Sequence, residues 1–367
     1  MISRIMVIYS GGTIGMAKSN QKVYEPKANF FGSELKKIPM VCDDVYSENE
    51  SLKPNEFALP VTREGRRILY TLLEYSPLKD SSNISFEDWI QMAEDVERNY
   101  EKYDGFVILH GTDTMAYTSS ALSFMLDGLS KPVVLTGAQI PIYEIMTDGV
   151  DNLVRALYVA AESRFPEVTL LFDKTLYRGN RVTKVSSKDF QAYESPNIKP
   201  LLLFTAEERG QGTDVNRFKR DVALQCHKSM SKNVGILLIF PGITPQMIRK
   251  VLEPPIQGLV LLTFGSGNCP SRDKELLNEI KAATSRGAII VNCTQCLKGF
   301  VSPSYETGSV LPKAGVLPGN DMTKEAAFAK LSYVLGQSGM SNEQRRSMML
   351  RNIHGEITEI TATSNES

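Results

Sequence analysis

The strongest constraint on the fold is an alternation of two sequence patterns along most of the chain. Short runs of β-branched and aliphatic residues alternate with longer stretches in which apolar residues recur at helical spacing. Crossover helices that cover a mainly parallel sheet produce this alternation. We therefore predict an α/β fold. The predicted strands are residues 4–9, 106–110, 132–136, 168–172, 234–240, 258–264 and 288–292, and the predicted helices are residues 86–100, 119–129, 151–161, 245–252, 271–285 and 323–336.

Length and a local change of composition indicate two domains of unequal size. The 367 residues correspond to about two domains at roughly 150 residues each. A polar, charged stretch interrupts the pattern between residues 206 and 232, after which the alternation resumes. We expect a larger N-terminal, mainly parallel-sheet domain at 1–212, a linker at 213–232, a smaller C-terminal α/β domain at 233–355 and a flexible tail at 356–367.

Charge and cysteine content exclude several classes of protein. The 41 Lys and Arg residues nearly balance the 42 Asp and Glu residues, without the basic face that a nucleic-acid partner requires. No apolar run approaches the roughly 20 residues of a membrane-spanning helix, and the N-terminal sequence does not read as a signal peptide. Five cysteines, an odd number, indicate free thiols in a reducing compartment. We therefore expect a cytoplasmic protein with no nucleic-acid or membrane partner.

Two motifs that suggest other chemistry are incomplete. Cys293 and Cys296 form a Cys-x-x-Cys pair, but no second pair and no nearby histidine completes a zinc site. His110 has no accompanying Gly-x-Ser-x-Gly nucleophile motif, so we interpret it as structural. Neither a metal nor a nucleotide is expected.

Two predicted strands are followed by similar loops. Ser10-Gly-Gly-Thr-Ile-Gly15 and His110-Gly-Thr-Asp-Thr-Met115 each place a threonine after a glycine, at the strand ends where parallel sheets bind ligands. Thr13 and Thr112 can therefore face one ligand, with Asp113 beside the second hydroxyl. The alternative is that both threonines are only helix caps, because Ser, Thr and Gly are common at such turns.

A third strand-end loop supplies a cation. Lys184 follows the strand predicted at residues 168–172, within a segment that also contains Arg178 and Arg181. Most such lysines are solvated surface charges. A lysine enclosed in a pocket can instead lose its proton and act as a base for a threonine hydroxyl, or stay charged and hold a substrate carboxylate.

Motifs spread over residues 4–340 resemble those of the bacterial-type L-asparaginases, and among them the cytosolic type I branch that also occurs in animals. The two principal signatures are Tyr9-Ser-Gly-Gly-Thr-Ile-Gly15 and Gly105-Phe-Val-Ile-Leu-His-Gly-Thr-Asp-Thr-Met115. The resemblance implies hydrolysis of L-asparagine to L-aspartate and ammonia through an acyl-enzyme, without a metal or organic cofactor. Further agreement covers residues 135–139, 178–184, 240–243, 264–268, 292–296 and 321–323.

The resemblance assigns catalytic roles to five residues. Thr13 corresponds to the threonine that is taken as the nucleophile, and Tyr24 corresponds to a tyrosine that assists it and closes the site. Thr112, Asp113 and Lys184 correspond to a second threonine with its acidic and basic partners, in which a neutral lysine activates the hydroxyl.

The resemblance also implies a substrate loop and an oligomer. Asp80, Ser81 and Ser82 correspond to residues that bind the amino-acid head group, although residues 77–83 alone predict only a helix-capping turn. Asn268 and Tyr305 correspond to positions that reach the active site of a neighbouring subunit. The active unit is therefore expected to be a homo-oligomer, either a dimer or a dimer of dimers (homotetramer).

One departure bears on regulation. Bacterial type I members carry an arginine of a regulatory asparagine site where this chain has Leu262, although Cys296 of that site is retained. We therefore expect no allosteric activation of the bacterial kind. Two other functions stay open: a related amidase, such as a glutaminase or the ammonia-supplying subunit of an amidotransferase, and a non-enzymatic amino-acid sensor.

Overall fold

Two units, each with its own parallel sheet, make up the fold. A computed structural model describes residues 2–19, 23–62, 65–162, 164–205, 222–302 and 309–359. The first unit is Met1–Ser195 with Lys199–His227, and the second is Pro196–Ile198 with Lys228–Ser367. Much of the predicted linker (213–221) and of the predicted tail (360–367) lies outside the described residues.

An eight-stranded sheet forms the centre of the first unit, in the order β13-β10-β9-β8-β6-β1-β5-β4. The five strands from β9 to β5 in this order run parallel, and the outer strands are antiparallel. The strands of the unit are β1 (Ile2–Gly11), β2 (Ala17–Lys18), β3 (Tyr24–Glu25), β4 (Glu56–Ala58), β5 (Arg67–Lys79), β6 (Gly105–Leu109), β7 (Leu126–Asp127), β8 (Val133–Thr136), β9 (Val168–Phe172), β10 (Thr175–Arg178), β11 (Thr183–Lys184), β12 (Tyr193–Glu194), β13 (Leu202–Leu203) and β14 (Gln225–Cys226). Its helices are α1 (Phe31–Leu35), α2 (Asp44–Asn49), α3 (Phe86–Asn99), α4 (Met115–Met125) and α5 (Gly149–Ala161).

Helix α3 shows how the sequence produces these elements. Ser85 and Asp88 form a capping box that satisfies backbone amides at its N-terminus. Trp89, Met92 and Val96 recur at helical spacing and are buried. The predicted helix at 86–100 is therefore confirmed to within one residue, and its apolar stripe packs into the core.

Helix α4 lies outside its predicted bounds. The prediction was 119–129, whereas the helix runs from Met115 to Met125. It begins earlier because it starts directly after the loop that carries Thr112. It ends earlier because Leu126 and Asp127 pair antiparallel with β14, and Gly128 then turns the chain with a φ of 76°. The helix is buried on all sides, so amphipathic spacing could not locate its ends.

The second unit has a four-stranded parallel sheet in the order β15-β16-β17-β18. Its strands are β15 (Val234–Leu238), β16 (Gly258–Thr263), β17 (Ile289–Thr294) and β18 (Leu317–Pro318), and its helices are α6 (Pro245–Leu252), α7 (Lys274–Ser285), α8 (Val310–Lys313), α9 (Lys324–Gly336) and α10 (Asn342–Leu350).

Lys330 and Glu356 are fully buried and form an ion pair of 2.6 Å. Burial lowers the pKa of Lys330, whereas Glu356 raises it by a smaller amount.

The predicted α/β class, with a larger and a smaller parallel-sheet unit, is confirmed. Except for α4, the predicted strands and helices differ from the observed ones by at most three residues at either end. The longest of the described elements that were not predicted are the strand β5 and the helix α10. None of the described helices is long and apolar enough to cross a membrane.

Candidate active site

Three loops meet at one edge of the large sheet. Strand β1 lies between β5 and β6 and runs parallel to both, so the carboxyl ends of the three strands are adjacent. Thr13 follows β1, Asp80 follows β5 and Thr112 follows β6. The sheet order thus brings together residues that are far apart in the sequence.

The loops approach so closely that only glycine fits between them. The amide of Gly12 donates to the carbonyl of Lys79 at 3.1 Å. A Cβ atom on Gly12 would lie 2.4 Å from the backbone nitrogen of Gly111, and one on Gly111 would lie 2.6 Å from the Cβ of Ser81. Gly12 also has a φ of 86°, which side chains rarely adopt. Glycine therefore permits the close packing that positions Thr13.

Thr13 begins a short 3₁₀ turn that ends at Gly15. The carbonyl of Thr13 accepts a hydrogen bond from the amide of Met16, and the residue is half-buried. Thr13 therefore lies at the carboxyl end of β1, and its role as a nucleophile stays a prediction.

Thr112, Asp113 and Lys184 form one cluster, as predicted. Lys184 Nζ lies 2.8 Å from Thr112 Oγ1 and 2.8 Å from Asp113 Oδ1. Thr112 is buried, whereas the Asp113 side chain is 67% exposed. The amine is thus held between a buried hydroxyl and a solvated carboxylate, where it can relay or stabilise charge on the hydroxyl.

Tyr193 supports this cluster through its contacts with Thr112 and Lys184. It was not predicted as a site residue. In the hairpin of β11 and β12, Tyr193 lies directly opposite Lys184. Its hydroxyl donates to the carbonyl of Thr112, so one hairpin contacts both the carbonyl and the hydroxyl of the same threonine. No sequence motif marks Tyr193, because its role depends on the hairpin register.

Asp80, Ser81 and Ser82 make hydrogen bonds within and between the loops. Asp80 Oδ1 accepts from the amide of Ser82 at 2.9 Å and from its hydroxyl at 2.6 Å, which lowers the pKa of Asp80. Ser81 is buried, and its hydroxyl accepts from the amide of Asp113 at 3.3 Å. Asp80 is therefore charged at neutral pH, beside the Thr112 loop.

Tyr24 lies on the hairpin of β2 and β3, and its contact partner was not predicted. Its hydroxyl donates to Glu144 Oε1 at 3.0 Å. This hydrogen bond raises the pKa of Tyr24 above its usual value. Glu144 lies in the loop after β8, within a segment that carries no recognisable motif.

His110 is held by two buried hydrogen bonds. Nδ1 contacts the carbonyl of Gly111 at 2.7 Å, and Nε2 contacts Thr118 Oγ1 at 3.0 Å. A carbonyl can only accept, so we assign the proton to Nδ1. Burial lowers the pKa of His110 to about 4. The structural interpretation of this histidine is thus supported by its contacts.

The remaining predicted residues belong to the second unit. Asn268 lies after β16, where its backbone pairs with that of Phe264. Tyr305 lies outside the described residues. Leu262 is buried in β16 opposite Cys293, and Cys296 is exposed. Among the described residues, no group of three His, Cys, Asp or Glu side chains could hold a metal ion.

Comparison with known families covers both units. Residues 4–216 match the family described as "Asparaginase, N-terminal", and residues 233–349 match the "Glutaminase/Asparaginase C-terminal domain". The first match includes every predicted site residue of the first unit.

Individual relatives extend the similarity to almost the whole chain. An L-asparaginase of Dirofilaria immitis is 43% identical over 361 residues, covering 97% of this chain and 61% of the relative. A 60 kDa lysophospholipase of Mus musculus is 45% identical over 355 residues, covering 97% of this chain and 62% of the relative. The crystal structure of L-asparaginase I from Vibrio cholerae has a TM-score of 0.83 and 42% identity, covering 98% of this chain and 100% of that chain. The chain thus spans about three fifths of the length of the two curated relatives.

Proposed function

This chain belongs to the asparaginase family, and on that premise we propose that it hydrolyses the side-chain amide of L-asparagine to L-aspartate and ammonia. The observation that carries the proposal is the position of Lys184 Nζ, 2.8 Å from both Thr112 Oγ1 and Asp113 Oδ1, at the sheet edge that also carries Thr13. A hydroxyl becomes a useful nucleophile or proton carrier only when an adjacent group activates it.

The reaction proceeds in two displacement steps. In the first, Thr13 Oγ1 forms a bond to the amide carbon of the substrate and the carbon–nitrogen bond breaks. The threonine proton leaves with the substrate's amide nitrogen as ammonia. In the second, water adds to the resulting ester, its bond to Thr13 breaks, and the proton returns to the threonine as aspartate is released. Lys184, acting on Thr112, activates the attacking hydroxyl or water and shares the charge that develops. Tyr24 closes the site over Thr13.

The substrate head group binds at the β5 end. Asp80 is charged at neutral pH because the hydrogen bonds from Ser82 lower its pKa, so it can pair with the α-ammonium group. Ser81 and Ser82 offer hydroxyls to the α-carboxylate. We propose a preference for asparagine over glutamine, because a head group held by this loop and a nucleophile fixed at Thr13 would together select for side-chain length.

Assembly and regulation belong to the same proposal. The active unit is a cytoplasmic homo-oligomer in which Asn268 and Tyr305 reach the site of a neighbouring subunit. Leu262 stands where the regulatory arginine of bacterial type I members lies, so turnover depends hyperbolically on asparagine.

Ammonia release from L-asparagine, and separately from L-glutamine, tests the proposal over a substrate range wide enough to detect sigmoidicity. We expect hyperbolic turnover of asparagine that disappears in Thr112→Ala. A lysophospholipid ester serves as a third substrate, because one relative is named a lysophospholipase. If the protein releases no ammonia from either amide but still binds asparagine by calorimetry, it is a sensor. Release of fatty acid alone would assign the site to ester hydrolysis.

A further inference from the structure

We propose that Glu144 is a positioning residue that holds the Tyr24 hairpin closed on the active-site loop; this rests on the proposed function. In the hairpin of β2 and β3, Lys18 lies directly opposite Tyr24. Tyr24 Oη lies 3.0 Å from Glu144 Oε1, and Lys18 Nζ lies 3.8 Å from the same oxygen. One carboxylate oxygen therefore contacts both strands of the hairpin.

The two hairpin side chains also contact each other. Lys18 Nζ lies 5.5 Å from the centroid of the Tyr24 ring, within the range of a cation–π interaction. The hydrogen bond to Glu144 raises the pKa of Tyr24, so the phenol stays protonated and continues to donate. Glu144, Lys18 and Tyr24 thus form one three-way contact.

Glu144 is itself fixed to the loop that carries Thr13. The amide of Ile142 donates to the carbonyl of Ile14, the residue after Thr13, at 2.9 Å. The amide of Glu144 donates to the carbonyl of Pro141 at 3.0 Å and closes a turn. The backbone therefore sets the distance between the Glu144 carboxylate and the Thr13 turn.

A buried carboxylate stiffens the same segment. Asp148 accepts from the amides of Gln139 and Ile140 at 3.0 and 3.1 Å, and from Asn152 Nδ2 at 3.2 Å. The carboxylate of Asp148 thus joins the two ends of segment 139–148, which carries Glu144. Glu144 therefore presents its carboxylate to the hairpin from a segment that is hydrogen-bonded to the Thr13 loop.

The strength of the contact suits a closure that must reverse in each turnover. The side chains of Lys18 and Glu144 are 49% and 30% exposed, and solvent-exposed ion pairs contribute little to stability. Such a contact can hold the hairpin over bound substrate and still release the product. A buried pair would be too costly to break.

Four variants test the proposal: Glu144→Ala, Glu144→Gln, Tyr24→Phe and the double variant Glu144→Ala/Tyr24→Phe. We expect Glu144→Ala to lower kcat/KM for asparagine about tenfold, while Glu144→Gln, whose amide oxygen can still accept from Tyr24, stays within about threefold of the parent. The double variant should be no less active than the poorer of the two single variants, because both changes remove the same contact. Glu253→Ala, which removes the exposed partner of Lys250, is the matched control and should leave kcat/KM unchanged.

A measurement that needs no turnover accompanies these assays. Hydrogen–deuterium exchange of the peptide that contains Tyr24 should be several-fold faster in Glu144→Ala than in the parent or in Glu253→Ala. Equal exchange in all three proteins overturns the proposal whether or not asparagine is the substrate. Equal kcat/KM in Glu144→Ala and the parent, or losses that multiply in the double variant, overturn it as well. An inactive parent protein whose hairpin still exchanges faster after Glu144→Ala would refute the proposed function alone.

Discussion

Replacing Lys184 by methionine separates the chemical role of this residue from its structural role. Methionine retains most of the apolar stem of the lysine but has no amine, so the contacts of 2.8 Å to Thr112 Oγ1 and Asp113 Oδ1 disappear. Because a positioned acid or base contributes about 10²–10⁴-fold to a rate, we expect turnover of asparagine to fall by about that factor. This fall corresponds to about 3–5 kcal/mol in the activation barrier.

The same change should affect stability little. The Asp113 side chain is 67% exposed, so water solvates its carboxylate once the lysine is gone. An ion pair with such an exposed partner contributes about 0–1 kcal/mol. We therefore expect the free energy of unfolding of Lys184→Met to stay within about 1 kcal/mol of the parent.

Steady-state ammonia release gives the rate, and urea denaturation gives the stability. Lys184→Arg distinguishes the two roles that the sequence leaves open for this amine. A guanidinium keeps the charge but does not give up a proton in proteins. An arginine variant as inactive as the methionine variant indicates a base, and one that keeps substantial activity indicates a fixed charge. Turnover of Lys184→Met within tenfold of the parent would refute the assignment of Lys184 to the chemistry.

Three further predictions concern the threonines, a buried histidine and a buried ion pair. Thr13→Ala and Thr112→Ala should each lower turnover by several orders of magnitude with an unchanged circular dichroism spectrum; near-normal turnover in either removes that threonine from the mechanism. Burial lowers the pKa of His110 from 6.5 to about 4, so the unfolded chain binds its proton first as the pH falls. The free energy of unfolding should therefore drop by about 3 kcal/mol from above pH 6.5 to pH 4. The drop should be smaller in His110→Gln, and an equal drop in both proteins contradicts this reasoning. Lys330→Met leaves the Glu356 carboxylate buried without this cation and should lower the free energy of unfolding in urea by about 3–5 kcal/mol. Adding Glu356→Gln should restore part of the loss. No loss in the single variant would show that the pair is dispensable.

Local patterns in the sequence were enough to predict seven strands and six helices. The strand at Val168–Phe172 and the helix at Pro245–Leu252 have their predicted bounds. In the helix, the spacing of apolar residues located both ends, because one face is buried and Thr244 caps the start. Strand β5 was missed although it pairs along most of β1, because its Arg67–Lys79 sequence shows no regular alternation. Helix α4 was misplaced because it has no exposed face to create a periodic pattern.

The sequence by itself determined the α/β class and the residue types of the candidate site. The threonine after a glycine at two strand ends, and a lysine after a third, can be read from local spacing because each depends only on its own strand and turn. Only the tertiary structure decided which groups meet. Thr112 and Lys184 are 72 positions apart, and Tyr24 and Glu144 are 120 apart. Their contacts exist because the order of the strands and the register of two short hairpins bring distant loops to one sheet edge, and no local sequence pattern encodes that order.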